Sequence, residues 1–177
     1  MTRALRALAA ASLAPLLAAA LAAPAAAPAP GPRAPADQRV DLTQVKWRLD
    51  DRRAANVTVE PAPPTVAAQH PPAGDVVRLP CPKRDARWTC EFTTEDAFTA
   101  RLMLDWRASP EGLLFELMLD GRRLSPARDG WRPTPRDLQS DLGSAWVGRG
   151  RHLLEVLPRE SVPGGALRLR ALELRRL

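Results

Sequence analysis

Apolar and polar residues alternate along most of the chain beyond residue 37. A period of two is typical of β-strands that bury one face and expose the other. The longest alternation consists of five apolar residues at every second position, separated by Thr99, Arg101, Met103 and Asp105: Phe98, Ala100, Leu102, Leu104 and Trp106. Shorter runs with the same period occupy residues 45–49, 88–92 and 113–119, and residues 152–157 are a further candidate strand. The pattern therefore predicts an all-β domain built from many short strands.

Two local features predict how some of these strands are shaped and connected. The dipeptide Asp120-Gly121 separates two strand-like segments, and it indicates a tight hairpin because glycine tolerates a positive φ. Near the end of the chain, Leu167 and Leu169 alternate with arginines, but the parity of the apolar residues changes at Ala171. A change of parity within one strand predicts a β-bulge.

One segment carries a helix signal instead. Thr134–Asp137 combines a capping residue, a proline at the first helical position and an acidic residue in the first turn. Leu138 and Leu142 follow four residues apart, and Gly143 is suited to end the helix. We therefore expect an antiparallel, jelly-roll-like β-sandwich with one short helix.

The first residues of the chain resemble a targeting segment. Basic residues, an Ala/Leu-rich run over residues 7–23 and a small-residue exit are typical of a secretory signal peptide. The run is too weakly hydrophobic to indicate a membrane span, so we expect no transmembrane segment in the mature chain and a periplasmic or secreted location. The expected organisation is a signal peptide (residues 1–22), a Pro/Ala-rich linker (23–36) and a single β-sandwich domain (37–177).

The chain has two cysteines, Cys81 and Cys90. An even number of cysteines in an exported protein indicates disulfide bonding, so we predict a disulfide between them. A reactive or metal-binding thiol pair is the alternative. A zinc site needs about four ligands, and the only histidines of the chain are His70 and His152. We therefore predict no metal site and no cofactor.

Basic residues outnumber acidic ones, 26 to 20, and lysine occurs only at Lys46 and Lys83. This excess of arginine has two interpretations: the codon usage of a GC-rich genome, or a surface for anionic polymers, since arginine makes forked contacts with carboxylates and phosphates. Acidic residues are interspersed among the arginines, whereas nucleic-acid binding needs a segregated basic stripe. We therefore expect no nucleic-acid partner.

The five tryptophans divide into two groups by their sequence context. Three alternate with apolar neighbours and are expected in the core: Trp47, Trp88 and Trp106. Trp131 and Trp146 lie in or beside an irregular segment, where an exposed indole is suited to stack on a sugar ring or anchor a partner. The polar residues expected to complete a ligand-binding site with them are Arg122, Asp129, Arg132 and His152.

Three segments of the last third carry a resemblance to a known family. Phe115–Leu124 contains the Asp-Gly turn, Val147–Val156 contains a G-x-H-x-L-x-V sequence, and Leu167–Leu174 closes the chain. This order resembles the closing strands of galactose-binding-like β-sandwich domains, including the carbohydrate-binding modules of secreted enzymes. The resemblance implies a sandwich in which the Asp-Gly and Gly-x-His elements are mainly architectural. It carries over no sugar-binding residue, and the segment 125–145 departs from the compact pattern.

These observations favour an exported, non-catalytic β-sandwich that binds a glycan or another envelope component through the region of Trp131 and Trp146. One alternative is a protein-interaction or structural subunit of a bacterial envelope assembly, which would use an exposed strand edge or apolar patch. A second alternative is a small secreted hydrolase. The chain has no G-x-S-x-G, P-loop or dinucleotide motif, so its catalysis would need a carboxylate pair drawn from a scattered set: Asp105, Glu116, Asp120, Asp129 and Asp141.

Overall fold

The computed structural model describes residues 36–50, 52–53, 57–62 and 74–177. The expected signal peptide, nearly all of the expected linker and His70 lie outside these residues. The described part contains thirteen β-strands and no helix, and accordingly no helix in it is long and apolar enough to cross a membrane. The strands are β1 (Gln38–Asp41), β2 (Arg48–Leu49), β3 (Arg52–Arg53), β4 (Thr58–Glu60), β5 (Val76–Pro80), β6 (Trp88–Thr94), β7 (Phe98–Ala108), β8 (Leu114–Leu119), β9 (Arg122–Arg123), β10 (Arg128–Asp129), β11 (Arg136–Val147), β12 (Gly150–Pro158) and β13 (Ala166–Arg176).

The strands form two antiparallel sheets, as expected for a β-sandwich. Sheet A has the order β11-β7-β13-β5-β4, with β1 also paired to β13. Sheet B has the order β10-β8-β12-β6-β2-β3, with β9 also paired to β8. The chain passes from one sheet to the other between β1 and β2, β3 and β4, β5 and β6, β6 and β7, β7 and β8, β10 and β11, β11 and β12, and β12 and β13. The alternating residues of both sheets therefore face one shared core.

The core contains the three tryptophans that were expected there. Trp47, Trp88 and Trp106 are buried, and each indole N–H has a hydrogen-bond acceptor between 2.9 and 3.0 Å away. A buried indole needs such a partner because an unpaired N–H would lose its hydration without compensation. The rings of Trp106 and Phe115 meet edge to face at 5.3 Å, which joins sheet A to sheet B.

The predicted hairpin and bulge are both confirmed. Asp120 and Gly121 have φ angles of 51° and 75°, and the turn pairs Leu119 with Arg122. The register of β13 against β7 shifts between Leu169 and Ala171, where the sequence pattern changes parity.

The predicted helix is wrong, because its residues form the long strand β11. Arg136–Val147 pairs with β7 along its whole length, with a register shift between Asp141 and Gly143. A spacing of four residues, as between Leu138 and Leu142, places two side chains on one face of either a helix or a strand. The apolar spacing therefore could not distinguish the two structures, and the long-range pairing with β7 decides.

A buried carboxylate between two arginines ties the outer face of sheet A together. Asp137 Oδ1 accepts a hydrogen bond from Arg107 Nε at 2.7 Å, and its Oδ2 accepts one from Arg170 Nη2 at 2.5 Å. Both guanidinium groups also donate to the carbonyl oxygen of Gly74, at 3.1 and 3.2 Å. The three side chains are at most 8% exposed. This cluster links β7, β11, β13 and the segment that leads into β5.

The predicted disulfide is not formed: Cys81 and Cys90 are separate, buried thiols. Cys81 directly follows β5 of sheet A, and its thiol donates to the carbonyl oxygen of Leu79 at 3.4 Å. Cys90 lies in β6 of sheet B. Facing sheets are about 10 Å apart, whereas the Cα atoms of a disulfide lie within about 7 Å of each other. Burial raises the pKa of each thiol to about 12.

Replacing Asp137 by Asn should destabilise the domain strongly. The change leaves two buried guanidinium groups without their carboxylate, and breaking a buried ion pair costs about 3–5 kcal/mol. Urea unfolding followed by circular dichroism measures the loss. The matched control is Asp96→Asn, whose carboxylate pairs with Arg176 at the surface and is 62% exposed. Equal shifts of the two variants would show that the buried cluster contributes no special stability.

The two thiols should resist modification in the folded protein and react after unfolding. With a pKa of about 12, each thiol is protonated at pH 8, and the thiolate is the reactive form. Alkylation with iodoacetamide without reductant, followed by mass spectrometry, should label neither cysteine in buffer and both in guanidinium chloride. Absence of labelling in guanidinium chloride would demonstrate a disulfide and contradict the structure.

Candidate functional site

Trp131 and Trp146 are the exposed tryptophans of the described residues, with 52% and 62% of their surface accessible. Trp146 pairs with Thr99 near the start of β7, whereas Trp131 forms a bridge with Ser109 just beyond its end. Ten residues of extended strand separate these positions, which is roughly 33 Å at about 3.3 Å per residue. The structure therefore does not bring the two tryptophans into one site; we call the two ends of the sandwich the Trp131 end and the Trp146 end.

At the Trp131 end, three of the predicted residues lie together. Asp129 Oδ1 accepts a hydrogen bond from the backbone N–H of Trp131 at 2.9 Å, and its Oδ2 lies 3.4 Å from Arg132 Nη1. The side chains of Asp129 and Arg132 are 59% and 43% exposed. An accessible indole is thus flanked by a carboxylate and a guanidinium group that solvent also reaches.

The backbone beneath this group is held rigidly by the turn between β7 and β8. Ser109 accepts a hydrogen bond from Arg132 N and donates one to Gly130 O, both at 3.0 Å, and Gly130 N donates to Leu113 O at 3.0 Å. A Cβ atom on Gly112 would lie 1.8 Å from Gly130 O. Only glycine permits this close approach, so Trp131 projects from a backbone with little freedom.

At the Trp146 end, the exposed indole lies on the outer face of sheet A. Ser144 and Trp146 pair with Arg101 and Thr99, so the four side chains share that face. The Arg101 guanidinium donates to Asp141 Oδ2, at 2.9 Å from Nε, and lowers the pKa of that carboxyl group. Trp146 therefore also has an ion pair of arginine and aspartate beside it, but on a flat sheet surface.

The remaining two predicted residues do not join Trp131. Arg122 is exposed in β9, and its partner Leu119 is near the Trp146 end of β8. His152 is buried, with Nδ1 2.7 Å from Asp120 Oδ2 and Nε2 2.9 Å from Gly148 O. His152 thus connects the β8–β9 turn to the β11–β12 turn instead of facing a ligand.

Asp120, His152 and Thr94 lie in the order of a catalytic triad, but their hydrogen bonds are structural. Thr94 Oγ1 is 3.0 Å from His152 Nε2 and donates to Gly148 O at 2.6 Å. Thr94 donates its single hydroxyl proton to Gly148 O, so this proton is not directed at His152 Nε2 for transfer. Thr94 and His152 are also 4% and 5% exposed, respectively.

Two of the acidic residues considered for a hydrolase, Glu116 and Asp141, are held in charged form by neighbouring arginines. The hydrogen bond from Arg159 lowers the pKa of Glu116, as that from Arg101 does for Asp141. A glycosidase needs one carboxyl group with a raised pKa as general acid. Neither of these two groups has that property. Within the described ranges, no group of three or more His, Cys, Asp or Glu residues could hold a metal ion.

A groove that the sequence pattern did not single out lies on the outer face of sheet B. Its volume is about 380 Å³, and its lining residues are Lys46, Arg48, Thr89, Cys90, Glu91 and Leu153. Lys46 and Arg48 are the polar positions that alternate with the apolar residues of segment 45–49. The same alternation that predicted the core could have shown that these two cations share one outer face.

Replacing His152 by Ala should destabilise the Trp146 end. The change removes the buried imidazole that bridges Gly148 O and Asp120 Oδ2, and loss of a hydrogen-bond partner at a buried site costs about 1–3 kcal/mol. Urea unfolding of His152→Ala, Asp120→Ala and the double variant should give a non-additive cycle. Arg122→Ala, an exposed change in the same hairpin, is the control; a purely additive cycle would contradict the network.

No protein-family model matches the chain, and no curated protein has a matching sequence. Solved structures do match its fold. A Paenibacillus xanthan lyase superposes with a TM-score of 0.62 at 13% identity, covering 78% of this chain and 13% of the lyase. The GH26-CBM35 β-(1,4)-mannanase of Podospora anserina gives 0.51 at 10% identity, with coverages of 80% and 28%. A Paenibacillus cycloisomaltooligosaccharide glucanotransferase gives 0.50 at 13% identity, with coverages of 77% and 18%.

The chain thus spans less than a third of each of these three proteins. Identities of 10–13% establish likeness of fold alone. The resemblance stated from the last third of the sequence is confirmed at that level, and the match extends over more than three quarters of the chain. The described part of the chain is a β-sandwich similar to one part of a xanthan lyase, of a mannanase and of a glucanotransferase.

Proposed function

We propose that this domain is a non-catalytic module that binds a glycan through Trp131, Asp129 and Arg132. The observation that carries the proposal is the half-exposed indole of Trp131, presented on a rigid backbone beside an accessible carboxylate and guanidinium. The similarity of the sandwich to parts of a xanthan lyase, a mannanase and a glucanotransferase supports the choice of a carbohydrate.

The chemistry of these three side chains suits a sugar. One face of a pyranose ring carries mainly C–H groups, which pack on the flat face of an indole. The hydroxyl groups at the ring edge can donate to Asp129 and accept from Arg132. Because the backbone of Trp131 is already fixed by Ser109 and Gly130, binding has little loop-ordering entropy to overcome.

Trp146 supplies a second aromatic surface in this proposal. It combines an exposed indole with the Arg101–Asp141 ion pair on the outer face of sheet A. At roughly 33 Å from the Trp131 end, it cannot contact the same sugar residue. We therefore assign Trp131 and Trp146 to separate contacts with a polymer.

The proposed location of the domain is the periplasm or the outside of the cell. The signal peptide expected at residues 1–22 supports this location. Wall and envelope glycans are polymers of the kind that a non-catalytic module would hold there.

A protein-interaction role in a bacterial envelope assembly is the second candidate function. Strand β11 favours it, because twelve residues of this strand lie at the edge of sheet A, and an open edge can pair with another chain. However, the ladder shifts register between Asp141 and Gly143, and Arg128 Nη2 donates to Asp141 O at 2.5 Å. Both features interrupt the edge, so the glycan-binding proposal is preferred.

Trp131→Ala should abolish retention of the protein on its glycan while leaving the fold intact, since the side chain is 52% exposed. The measurement is pull-down by a panel of polysaccharides that includes xanthan, mannan and purified cell wall, with a thermal unfolding curve for each variant. Trp131→Phe, which keeps an aromatic face, should retain part of the binding. Full retention by Trp131→Ala, or its unfolding, would remove Trp131 from the site.

A further inference from the structure

The groove on the outer face of sheet B is separate from both exposed tryptophans. It crosses three neighbouring strands, since Arg48 of β2 pairs with Thr89 of β6, and Glu91 of β6 pairs with Leu153 of β12. Its volume of about 380 Å³ lies within the range of about 300–1,000 Å³ that is usual for small-molecule sites. A single sugar residue therefore has room in it.

Lys46 and Arg48 bring two positive charges to this groove. Both are exposed, and no carboxylate of the described residues lies within 4.0 Å of either. Several arginines of sheet A differ in this respect: Arg101, Arg107 and Arg168 are each bonded to one or more carboxylates. The two cations of the groove thus remain available to an anion from solution.

The other walls of the groove offer an acceptor and an apolar surface. Glu91 is 45% exposed and lies 3.5 Å from Arg151. The backbone of half-buried Leu153 is fixed by Asp120, whose Oδ1 accepts from Leu153 N at 2.8 Å and whose N donates to Leu153 O at 2.9 Å. The wall formed by Leu153 is therefore rigid and apolar. Its pairing partner in β6, Glu91, supplies the carboxylate of the neighbouring wall.

From this arrangement we infer that the groove binds an acidic sugar residue of a glycan. Lys46 and Arg48 hold the anionic group, the guanidinium by a forked pair of hydrogen bonds. Glu91 accepts hydrogen bonds from ring hydroxyls, and the C–H face of the sugar packs on Leu153. The inference rests on the proposed function only in that the ligand is a carbohydrate. The residues that line the groove are different from those at the Trp131 end.

The acceptor oxygens of Glu91, which lies 3.5 Å from Arg151, give the groove its selectivity. A simple inorganic anion gains from Lys46 and Arg48 but has no ring hydroxyl group to donate to Glu91. A sugar that carries its anionic group at one end and hydroxyl groups at the other satisfies both sides. The groove should therefore prefer an acidic sugar to an isolated anion and to a neutral sugar of the same size.

The test is isothermal titration calorimetry with three probes: trigalacturonate, the neutral trisaccharide of galactose, and a sugar phosphate. The double variant Lys46→Gln/Arg48→Gln should weaken binding of the acidic probe by roughly tenfold or more, since each charge-assisted hydrogen bond lost weakens binding by about that factor. The matched control is Arg136→Gln/Arg149→Gln. It removes two exposed arginines, also without a carboxylate partner among the described residues, from outside the groove lining.

The outcomes separate this inference from the proposed function. Preference for trigalacturonate, lost in the groove variant and kept in the control variant, supports the inference with a carboxylate ligand. If only the sugar phosphate is preferred, and this preference is lost in the groove variant and kept in the control variant, the inference is supported with a phosphate as the anionic group. Equal weakening in both variants, or no preference for an acidic probe, overturns it. Failure of Trp131-dependent retention, with the preference of the groove for the acidic probe kept, overturns only the proposed function.

Discussion

The pairing of β7 with β11 is the constraint on which the rest of this structure depends. It carries the longest ladder of sheet A, from the pair of Arg136 and Ala108 to the pair of Val147 and Phe98. Its register sets Asp137 opposite Arg107, and so creates the buried charge cluster. The same register places the two exposed tryptophans at opposite ends of the sandwich. One long antiparallel ladder thus determines both the internal electrostatics of sheet A and the separation of the two exposed tryptophans.

The two outer faces of the sandwich differ in how their charges are used. On sheet A, arginines and carboxylates alternate across strands and neutralise one another, as in the contacts of Arg39 with Asp105 and Glu173. Sheet B also has ion pairs, such as those of Arg123 with Glu116 and of Arg151 with Glu91, but its short strand β2 brings Arg48 to a groove where no described carboxylate lies within 4.0 Å of it. The excess of arginine in the sequence therefore corresponds to structural ion pairs on both sheets and to accessible cations at the groove.

Local sequence patterns predicted the features of this fold that depend on neighbouring residues. The alternation in β7, the Asp120-Gly121 turn and the bulge after Leu169 are decided within a few residues, and each was predicted correctly. The helix at Leu138 was not, since a spacing of four fits both a helix and a strand. The disulfide failed for a different reason: Cys81 and Cys90 are close along the chain, but the chain crosses from one sheet to the other between them.

The candidate site shows the same division between local and long-range information. Asp129, Trp131 and Arg132 lie together because they are nearly consecutive, whereas His152 and Trp146 belong to the opposite end, which only the strand register determines. The exposure of both tryptophans was compatible with their sequence context, while their separation depends on ten residues of β7. The groove with Lys46 depends on pairs between three strands that are distant in sequence.

The pairing of β1 with β13 has a mechanical consequence. Gln38 lies opposite Leu174, so the first and last strands of the described domain are antiparallel neighbours. A force that pulls residue 38 away from residue 174 loads these four residue pairs one after another, as in opening a zipper, and the β7–β11 ladder carries none of that load at first. The ion pair of Arg39 and Glu173 lies at the second pair of this ladder. Under tension, β1 should therefore detach first and leave both tryptophan surfaces in place.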